Sequence, residues 1–411
     1  MPFDFDQIID RRNTNSYKWD VKADELPMWV ADMDFGTAPA VVNAIERRLR
    51  QGAFGYNTVP DSFRESIIKW WQRRHQFAME KDWILYCTGV VPAISSIVRK
   101  MTEIGNDIVV LAPVYNIFYN SILNNGRKVL ASELCYEDGS YAIDFADLEE
   151  KLSRNTTSLF IFCNPHNPIG KVWDRQILER IAELCIKHDV LVVSDEIHCD
   201  LTHIGRAYIP FASISGEIAD RTITCVAPTK AFNIAGIQTS AIVIPNPEVR
   251  KLVDRGINTD EVAEPNTFAI QAAEAAFDEG EEWLEELREY LELNRKFLSC
   301  SLKELVPEIH VVAAEATYLA WIDCVAITDN TKELCAFIRE KTGLYLSEGN
   351  IFGGNGSRFV RWNYACPKAL LEDGIQRFVE GIVLYQKEKA VQKSVPMDAG
   401  ICNWPHTAFL L

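Results

Sequence analysis

Ser158-Leu159-Phe160-Ile161-Phe162-Cys163 and Val190-Leu191-Val192-Val193-Ser194 are two apolar runs that enclose a helical pattern over Arg175–His188. A strand, a helix and a second strand form the unit from which parallel sheets are built. Similar apolar runs occur at Ile108–Leu111, Lys128–Ala131, Thr222–Val226 and Ser240–Ile244, and further helical patterns at Val91–Thr102 and Tyr115–Asn124. The alternation predicts an α/β fold in which a mostly parallel sheet is covered by helices on both faces.

The remaining chain predicts a second, smaller α+β domain. A long charged helix is expected from Glu281 to about Leu305. After it come strand patterns near Ile309–Val312, Thr317–Ile322 and Arg358–Trp362 and helical patterns over Thr331–Lys341 and Lys368–Glu388. We therefore expect an N-terminal segment over residues 1–45 that packs with the small domain, a large domain over 46–285, a small domain over 286–390 and a tail over 391–411.

The composition restricts the possible partners and compartment. The 411 residues are 48% apolar, and 42 basic against 58 acidic residues give a net charge of −16. This charge argues against nucleic acid or an anionic membrane as the main partner. No apolar run has membrane-spanning length, and the first residues lack the pattern of a signal peptide. Eleven scattered cysteines without a Cys-x-x-Cys pair predict reduced thiols in a cytoplasmic protein, rather than a disulfide framework or a zinc site.

Two charged side chains follow neighbouring apolar runs. Lys230 stands in the turn Ala227-Pro228-Thr229-Lys230, and Asp195 follows the run Val190–Ser194. The carboxyl ends of parallel strands line the ligand crevice of an open α/β sheet. Pyridoxal 5′-phosphate (PLP) needs an amine for a Schiff base and a carboxylate that keeps its pyridine nitrogen protonated. The alternatives are a solvated surface lysine and an aspartate that caps a helix.

Three further turns could contribute to such a site. In Thr88-Gly89-Val90-Val91-Pro92 the free N–H groups at a helix start can hold a phosphate, although many strand–helix turns look alike. Tyr115 follows a strand, where its ring could stack on a flat heterocycle or fill the core. Asn167, in Asn164-Pro165-His166-Asn167-Pro168, could offer its amide to the phenolic oxygen of PLP, or belong to an ordinary Asn-Pro turn.

Two further candidate functional features are an arginine in the strand pattern near Arg358–Trp362 and a pair of histidines. Arg361, between Val360 and Trp362, suits a bidentate grip on a carboxylate, with a surface ion pair as the alternative. His198 and His203 are five residues apart, which does not match the helical spacing of a metal-binding pair. We therefore expect no metal site.

Taken in order, these residues resemble the class I/II aminotransferase superfamily of fold-type I PLP enzymes. Further similarity lies in the sequences Leu26-Pro27-Met28-Trp29-Val30-Ala31-Asp32-Met33-Asp34-Phe35, Phe54-Gly55-Tyr56 and Lys230-Ala231-Phe232-Asn233-Ile234-Ala235-Gly236. The N-terminal sequences are similar to those of a subgroup, the MalY/PatB cystathionine β-lyases. The resemblance covers nearly the whole chain and implies the fold-type I architecture of a large PLP-binding domain plus a smaller α+β domain.

The resemblance implies contacts with the cofactor or the substrate for eight residues. Lys230 would carry PLP, Asp195 would pair with its pyridine nitrogen, Asn167 would pair with its phenolic oxygen, and Tyr115 would stack on its ring. Val90 and Val91 would bind the phosphate of the same subunit, and Tyr56 would reach the phosphate of the neighbouring subunit. Arg361 would hold the substrate carboxylate. The contact of Tyr56 implies a homodimer with shared active sites.

The chain also departs from the superfamily pattern. Many members have a serine and an arginine for the phosphate where this chain has Ala227 and Gln238. Thr229 could supply a hydroxyl group in their place.

The implied activity is α,β-elimination of L-cystathionine or a related sulfur amino acid, which yields a thiol such as homocysteine, pyruvate and ammonia. Lys230 would be the general base, and Phe35, Tyr115 and Trp29 would form an apolar wall around the leaving group. Two alternatives stay open. An aminotransferase would use the same residues, and the fold could serve mainly as a regulatory protein.

Overall fold

Two large β-sheets organise the chain in a computed structural model that describes residues 3–394. In chain order the strands are β1 (Leu26–Pro27), β2 (Ile84–Cys87), β3 (Asp107–Ala112), β4 (Lys128–Glu133), β5 (Cys135–Glu137), β6 (Ser140–Ala142), β7 (Thr157–Cys163), β8 (Leu191–Asp195), β9 (Thr222–Val226), β10 (Ser240–Val243), β11 (His310–Val311), β12 (Leu319–Asp323), β13 (Leu344–Tyr345), β14 (Ser347–Glu348) and β15 (Phe359–Asn363).

Helices separate most of these strands, as the alternating pattern predicts. They are α1 (Pro39–Arg50), α2 (Asp61–His75), α3 (Val90–Met101), α4 (Ile117–Leu123), α5 (Phe145–Leu152), α6 (Arg175–Lys187), α7 (Gly216–Ala219), α8 (Pro247–Thr259), α9 (Ala269–Glu279), α10 (Glu281–Leu305), α11 (Thr331–Thr342) and α12 (Lys368–Ser394). None of the described helices is long and apolar enough to cross a bilayer.

The larger sheet has seven strands in the order β2-β10-β9-β8-β7-β3-β4. Only β10 runs antiparallel to its neighbours, so the carboxyl ends of β2, β3, β7, β8 and β9 lie at one edge. The predicted α/β class with a mostly parallel sheet is confirmed. Sequence periodicity did not reveal that β10 inserts in the reverse direction between β2 and β9.

Both faces of this sheet are buried, which explains why its strands are continuously apolar. Along β7, Leu159 and Ile161 join one hydrophobic cluster, whereas Phe160 and Phe162 join another. Successive side chains of a strand point to opposite faces. Burial of one such side chain contributes roughly 1.5–3 kcal/mol, so the two clusters fix the sheet that carries the loops at its edge.

The second sheet is antiparallel, with the order β11-β12-β15-β14. The 25-residue α10 leads into it from the larger sheet. The N-terminal segment is joined to this part of the chain, because β1 pairs in parallel with β13. The domain borders at residues 45, 285 and 390 stay predictions. Residues 391–394 belong to α12, and the rest of the expected tail lies outside the described residues.

Candidate active site

A cavity of ≈ 270 Å³ lies at the edge where the parallel strands end. Its lining includes seven of the residues singled out from the sequence: Val90, Val91, Tyr115, Asn167, Asp195, Thr229 and Lys230. Asp195 is the last residue of β8, and the loops after β7 and β9 supply Asn167 and Lys230. These strands are neighbours in the sheet, so side chains that are distant in sequence meet at one place.

Lys230 is the only amine among the residues that line this cavity. Its Nζ donates a hydrogen bond of 2.6 Å to the carbonyl oxygen of Ala31. Burial lowers the pKa of Lys230 to about 8, an effect that Arg361 reinforces and the carboxylates of Asp32 and Asp195 oppose. A lysine with this pKa is partly neutral near physiological pH, which a nucleophilic amine requires.

Asp195 places a carboxylate in a nearly dry environment. The side chain is 4% exposed, and its Oδ1 accepts a hydrogen bond of 3.1 Å from the backbone N–H of Ile197. Burial raises the pKa of Asp195 to about 6, although this hydrogen bond and Lys230 act in the opposite direction. A buried carboxylate is stabilised by a cationic donor, and a protonated pyridine nitrogen is such a donor.

Arg361 is a buried positive charge that forms no ion pair with a carboxylate of the described residues. Its Nη1 donates to Asn167 Oδ1 at 3.2 Å, its Nη2 donates to the Trp29 carbonyl at 2.9 Å, and its Nε has no partner among the described residues. Burial lowers the pKa of Arg361 to about 10, and the neighbours that oppose this shift are the tyrosines Tyr115 and Tyr318. A buried guanidinium whose charge is not neutralised by a neighbouring carboxylate can bind an anionic ligand, such as the carboxylate of a substrate.

The start of α3 lies at the same cavity. This helix begins at Val90 after the extended Gly89, so its first N–H groups have no acceptor within the helix. Thr88 and Thr229 place hydroxyl groups in the lining. Backbone N–H groups and hydroxyl groups at a helix start hold phosphate well.

The donor set therefore fits PLP. It combines an amine with a lowered pKa, a buried carboxylate that forms no ion pair with a described residue, and a helix start suited to a phosphate. Tyr115 also borders the cavity. It precedes α4 instead of opening that helix as predicted, because α4 starts at Ile117.

The sequence description of the class I and II aminotransferases matches residues 24–378. The chain belongs to this family. Cystathionine beta-lyase PatB of Bacillus subtilis is 42% identical over 379 residues, which cover 91% of this chain and 98% of PatB. Protein MalY of Escherichia coli is 32% identical, with 92% of this chain and 99% of MalY covered.

A solved structure of this family shows the same architecture. The PLP-bound C–S lyase from Staphylococcus hominis superimposes with a TM-score of 0.87 at 32% identity and covers 93% of this chain and 98% of that protein. The resemblance to fold-type I PLP enzymes and to the MalY/PatB group is thus confirmed.

The sequence analysis did not identify His198 as a residue of this cavity. It lines the cavity, is 3% exposed, and has no partner for its Nδ1 among the described residues. Burial, together with the charges of Lys230 and Arg361, lowers the pKa of His198 to about 3. The imidazole is therefore neutral at physiological pH. The available signal is its position three residues after Asp195, whereas the five-residue spacing between His198 and His203 bears only on metal binding.

Four predicted residues are not among those that line the cavity, namely Trp29, Phe35, Tyr56 and Arg361. Phe35 is 5% exposed, and its ring packs 5.4 Å from Phe5 and 5.5 Å from Tyr290. The expectation that Phe35 forms part of the wall around the leaving group stays a prediction. Tyr56 is fully exposed at 102% and does not line the cavity. The ring of Trp29 stacks on Tyr345 at 4.7 Å, and its carbonyl contacts Arg361.

Proposed function

We propose that this protein is a PLP-dependent carbon–sulfur lyase that removes the β-thiolate from L-cystathionine or a related sulfur amino acid. The observation that carries the proposal is that Lys230 and Asp195 line one cavity, while the buried Arg361 donates a hydrogen bond to a third lining residue, Asn167. Two similar proteins, the cystathionine beta-lyase PatB and the C–S lyase of Staphylococcus hominis, support carbon–sulfur bond cleavage over other PLP chemistry.

Different residues bind the substrate and transfer its proton. PLP, when bound, supplies the aldehyde that captures the substrate amine and the ring that accepts electrons. Arg361 holds the α-carboxylate with its guanidinium. Asp195 keeps a proton at the ring nitrogen through its negative charge. Lys230 Nζ removes the proton from Cα, and its pKa of about 8 suits both accepting and returning a proton.

Elimination then breaks the bond between Cβ and sulfur. The electron pair of the Cα–H bond ends in a new Cα–Cβ double bond, and sulfur leaves with the pair of the Cβ–S bond as a thiolate. Addition of water converts the remaining three carbons to pyruvate and ammonia. With L-cystathionine the thiol is homocysteine.

The test uses the purified holoenzyme with L-cystathionine and no keto acid. Pyruvate and free thiol in equal amounts are expected, with no product from a Lys230→Ala variant. An aminotransferase would form no pyruvate here, but would transfer the amino group once a keto acid is added. In cells, a Lys230→Ala variant that kept its full biological effect would favour the regulatory alternative.

We further propose a homodimer in which Tyr56 completes the cavity of the second copy. Phe54 is 54% exposed and Tyr56 wholly exposed, in a stretch without helix or strand over residues 52–60. Aromatic side chains this exposed are typical of interfaces. A mixture of Lys230→Ala and Tyr56→Ala subunits, dissociated and reassociated, should regain activity, because a hybrid dimer has one intact site. Monomers in light scattering, or no recovery, would contradict this proposal.

We also place the protein in the cytoplasm. The ten described cysteines are all free, and eight of them are buried, as expected for a reducing compartment. Cys402 lies outside the described residues. Cell fractionation tests this location, and recovery of the protein from a secreted or periplasmic fraction would contradict it.

A further inference from the structure

The backbone of residues 29–33, here called the strap, links the residue that holds the substrate to the residue that moves its proton. The Trp29 carbonyl accepts from Arg361 Nη2 at 2.9 Å. Two residues later the Ala31 carbonyl accepts from Lys230 Nζ at 2.6 Å. The strap thus contacts both functional side chains through backbone oxygens, and whatever fixes those oxygens also fixes Lys230.

Asn363 fixes the strap on both sides of Ala31. Its Nδ2 donates to the Val30 carbonyl and to the Asp32 carbonyl, each at 2.6 Å. The side chain is 1% exposed, and it lies two residues after Arg361 on β15, so the two share a face of that strand. With the flanking carbonyls held by one amide, the Ala31 carbonyl has little freedom to turn away from Lys230.

Tyr318 makes the second contact with that carbonyl. Its hydroxyl donates to the Ala31 oxygen at 2.9 Å, and the residue is 0% exposed. A carbonyl oxygen has two acceptor sites. Lys230 occupies one and Tyr318 the other, which fixes the direction from which the lysine amine approaches.

We propose that Tyr318 and Asn363 are positioning residues that hold the Ala31 carbonyl as the docking point of the free Lys230 amine. The inference rests on the proposed function only in taking Lys230 as the group that removes the Cα proton. A neutral amine has two N–H bonds and one lone pair. When the Ala31 carbonyl binds one N–H, the lone pair is directed by geometry, and the ammonium formed by proton transfer stays hydrogen-bonded.

The test compares Tyr318→Phe with Tyr364→Phe. Tyr364 is a matched control, because it is 1% exposed, its hydroxyl donates to the Thr317 carbonyl at 2.8 Å, and it does not line the cavity. Each holoenzyme is incubated with L-alanine in D₂O, and exchange of the Cα proton is followed by NMR. L-Alanine has no leaving group at Cβ, so exchange reports proton removal alone and is independent of lyase activity.

For Tyr318→Phe we expect a roughly tenfold slower maximal exchange, since misplacing a reacting group costs about this much or more. The alanine concentration at half-maximal rate should change less than about twofold. A second readout is the rate at which cofactor-free protein captures PLP, which should also fall. Tyr364→Phe should match the wild type in each of these measurements.

Equal rates for Tyr318→Phe and the wild type would overturn the inference, as would equal slowing in both tyrosine variants or no exchange in the wild type. An Asn363→Ala variant, checked for folding by circular dichroism, should slow exchange at least as much as Tyr318→Phe, and normal exchange in it would also overturn the inference. If alanine exchange behaves as expected while cystathionine yields no pyruvate, the lyase proposal fails and the positioning role stands.

Discussion

The replacement Asp195→Asn should stabilise the cofactor-free protein. Asp195 is buried with one backbone donor, and its pKa is raised to about 6 from the ordinary 3.8. Each pKa unit corresponds to about 1.36 kcal/mol, so the buried charge lowers the free energy of unfolding by about 3 kcal/mol at pH 7. The amide of asparagine can still accept from Ile197 and carries no charge. The variant should therefore be more stable by up to this amount.

The effect should depend on pH in a defined direction. A raised carboxyl pKa means that the folded protein retains its proton longer than the unfolded chain. The destabilisation is therefore absent below about pH 4, grows as pH rises, and is complete above about pH 6. At pH 5 the same two pKa values give about 1.6 kcal/mol.

Urea unfolding of the two cofactor-free proteins between pH 4 and 7 measures the difference. Asp200→Asn is the matched control, since Asp200 is 5% exposed but accepts from Trp70 and lies 3.0 Å from His75. Burial acts to raise the pKa of Asp200, but these partners and Arg74 outweigh it, so the pKa is lowered. Its replacement should destabilise the protein at pH 7. An Asp195→Asn variant that is less stable than the wild type at pH 7, or a difference that does not change with pH, would refute the reasoning.

Three other outcomes are expected. Arg361→Met should raise KM for the amino acid by about a hundredfold or more, because the buried guanidinium has no other anion to bind; steady-state kinetics would contradict this with an unchanged KM. Lys18→Met should lower the free energy of unfolding by about 1–3 kcal/mol, since Lys18 Nζ lies 2.8 Å from the buried Asp34 Oδ2 while Arg11 still pairs with that carboxylate; a urea midpoint within error of the wild type would exclude this. PLP capture by the cofactor-free protein should speed up about tenfold per pH unit below pH 8 and level off above, because the neutral amine of Lys230 reacts; stopped-flow absorbance with a flat profile would contradict this expectation.

The sequence predicted the larger sheet well because its strands are buried on both faces. Continuous apolar runs such as Leu159–Cys163 are a strong local signal, and their carboxyl ends place Asp195 and Lys230 at one edge without further information. The reversed β10 could not be read in the same way. A short apolar strand looks alike in either direction, and its pairing with β2 and β9 is a tertiary property.

Contacts made by backbone atoms were also beyond sequence reasoning. The residue types in the strap do not predict that the Ala31 carbonyl binds Lys230, because every residue has a backbone carbonyl. The position of Phe35 was equally hard to predict. An aromatic residue in a signature sequence can face the cavity or the core, and only its contacts with Phe5 and Tyr290 distinguish the two.

The central claim is that Lys230 binds the aldehyde of PLP. The purified protein, loaded with PLP and reduced with borohydride, can be digested and its peptides sequenced by mass spectrometry. We expect a pyridoxyl-phosphate adduct on the peptide that contains Lys230, and no adduct there after Lys230→Ala. An adduct on a different lysine, or a protein that reduction leaves unlabelled, would contradict the account.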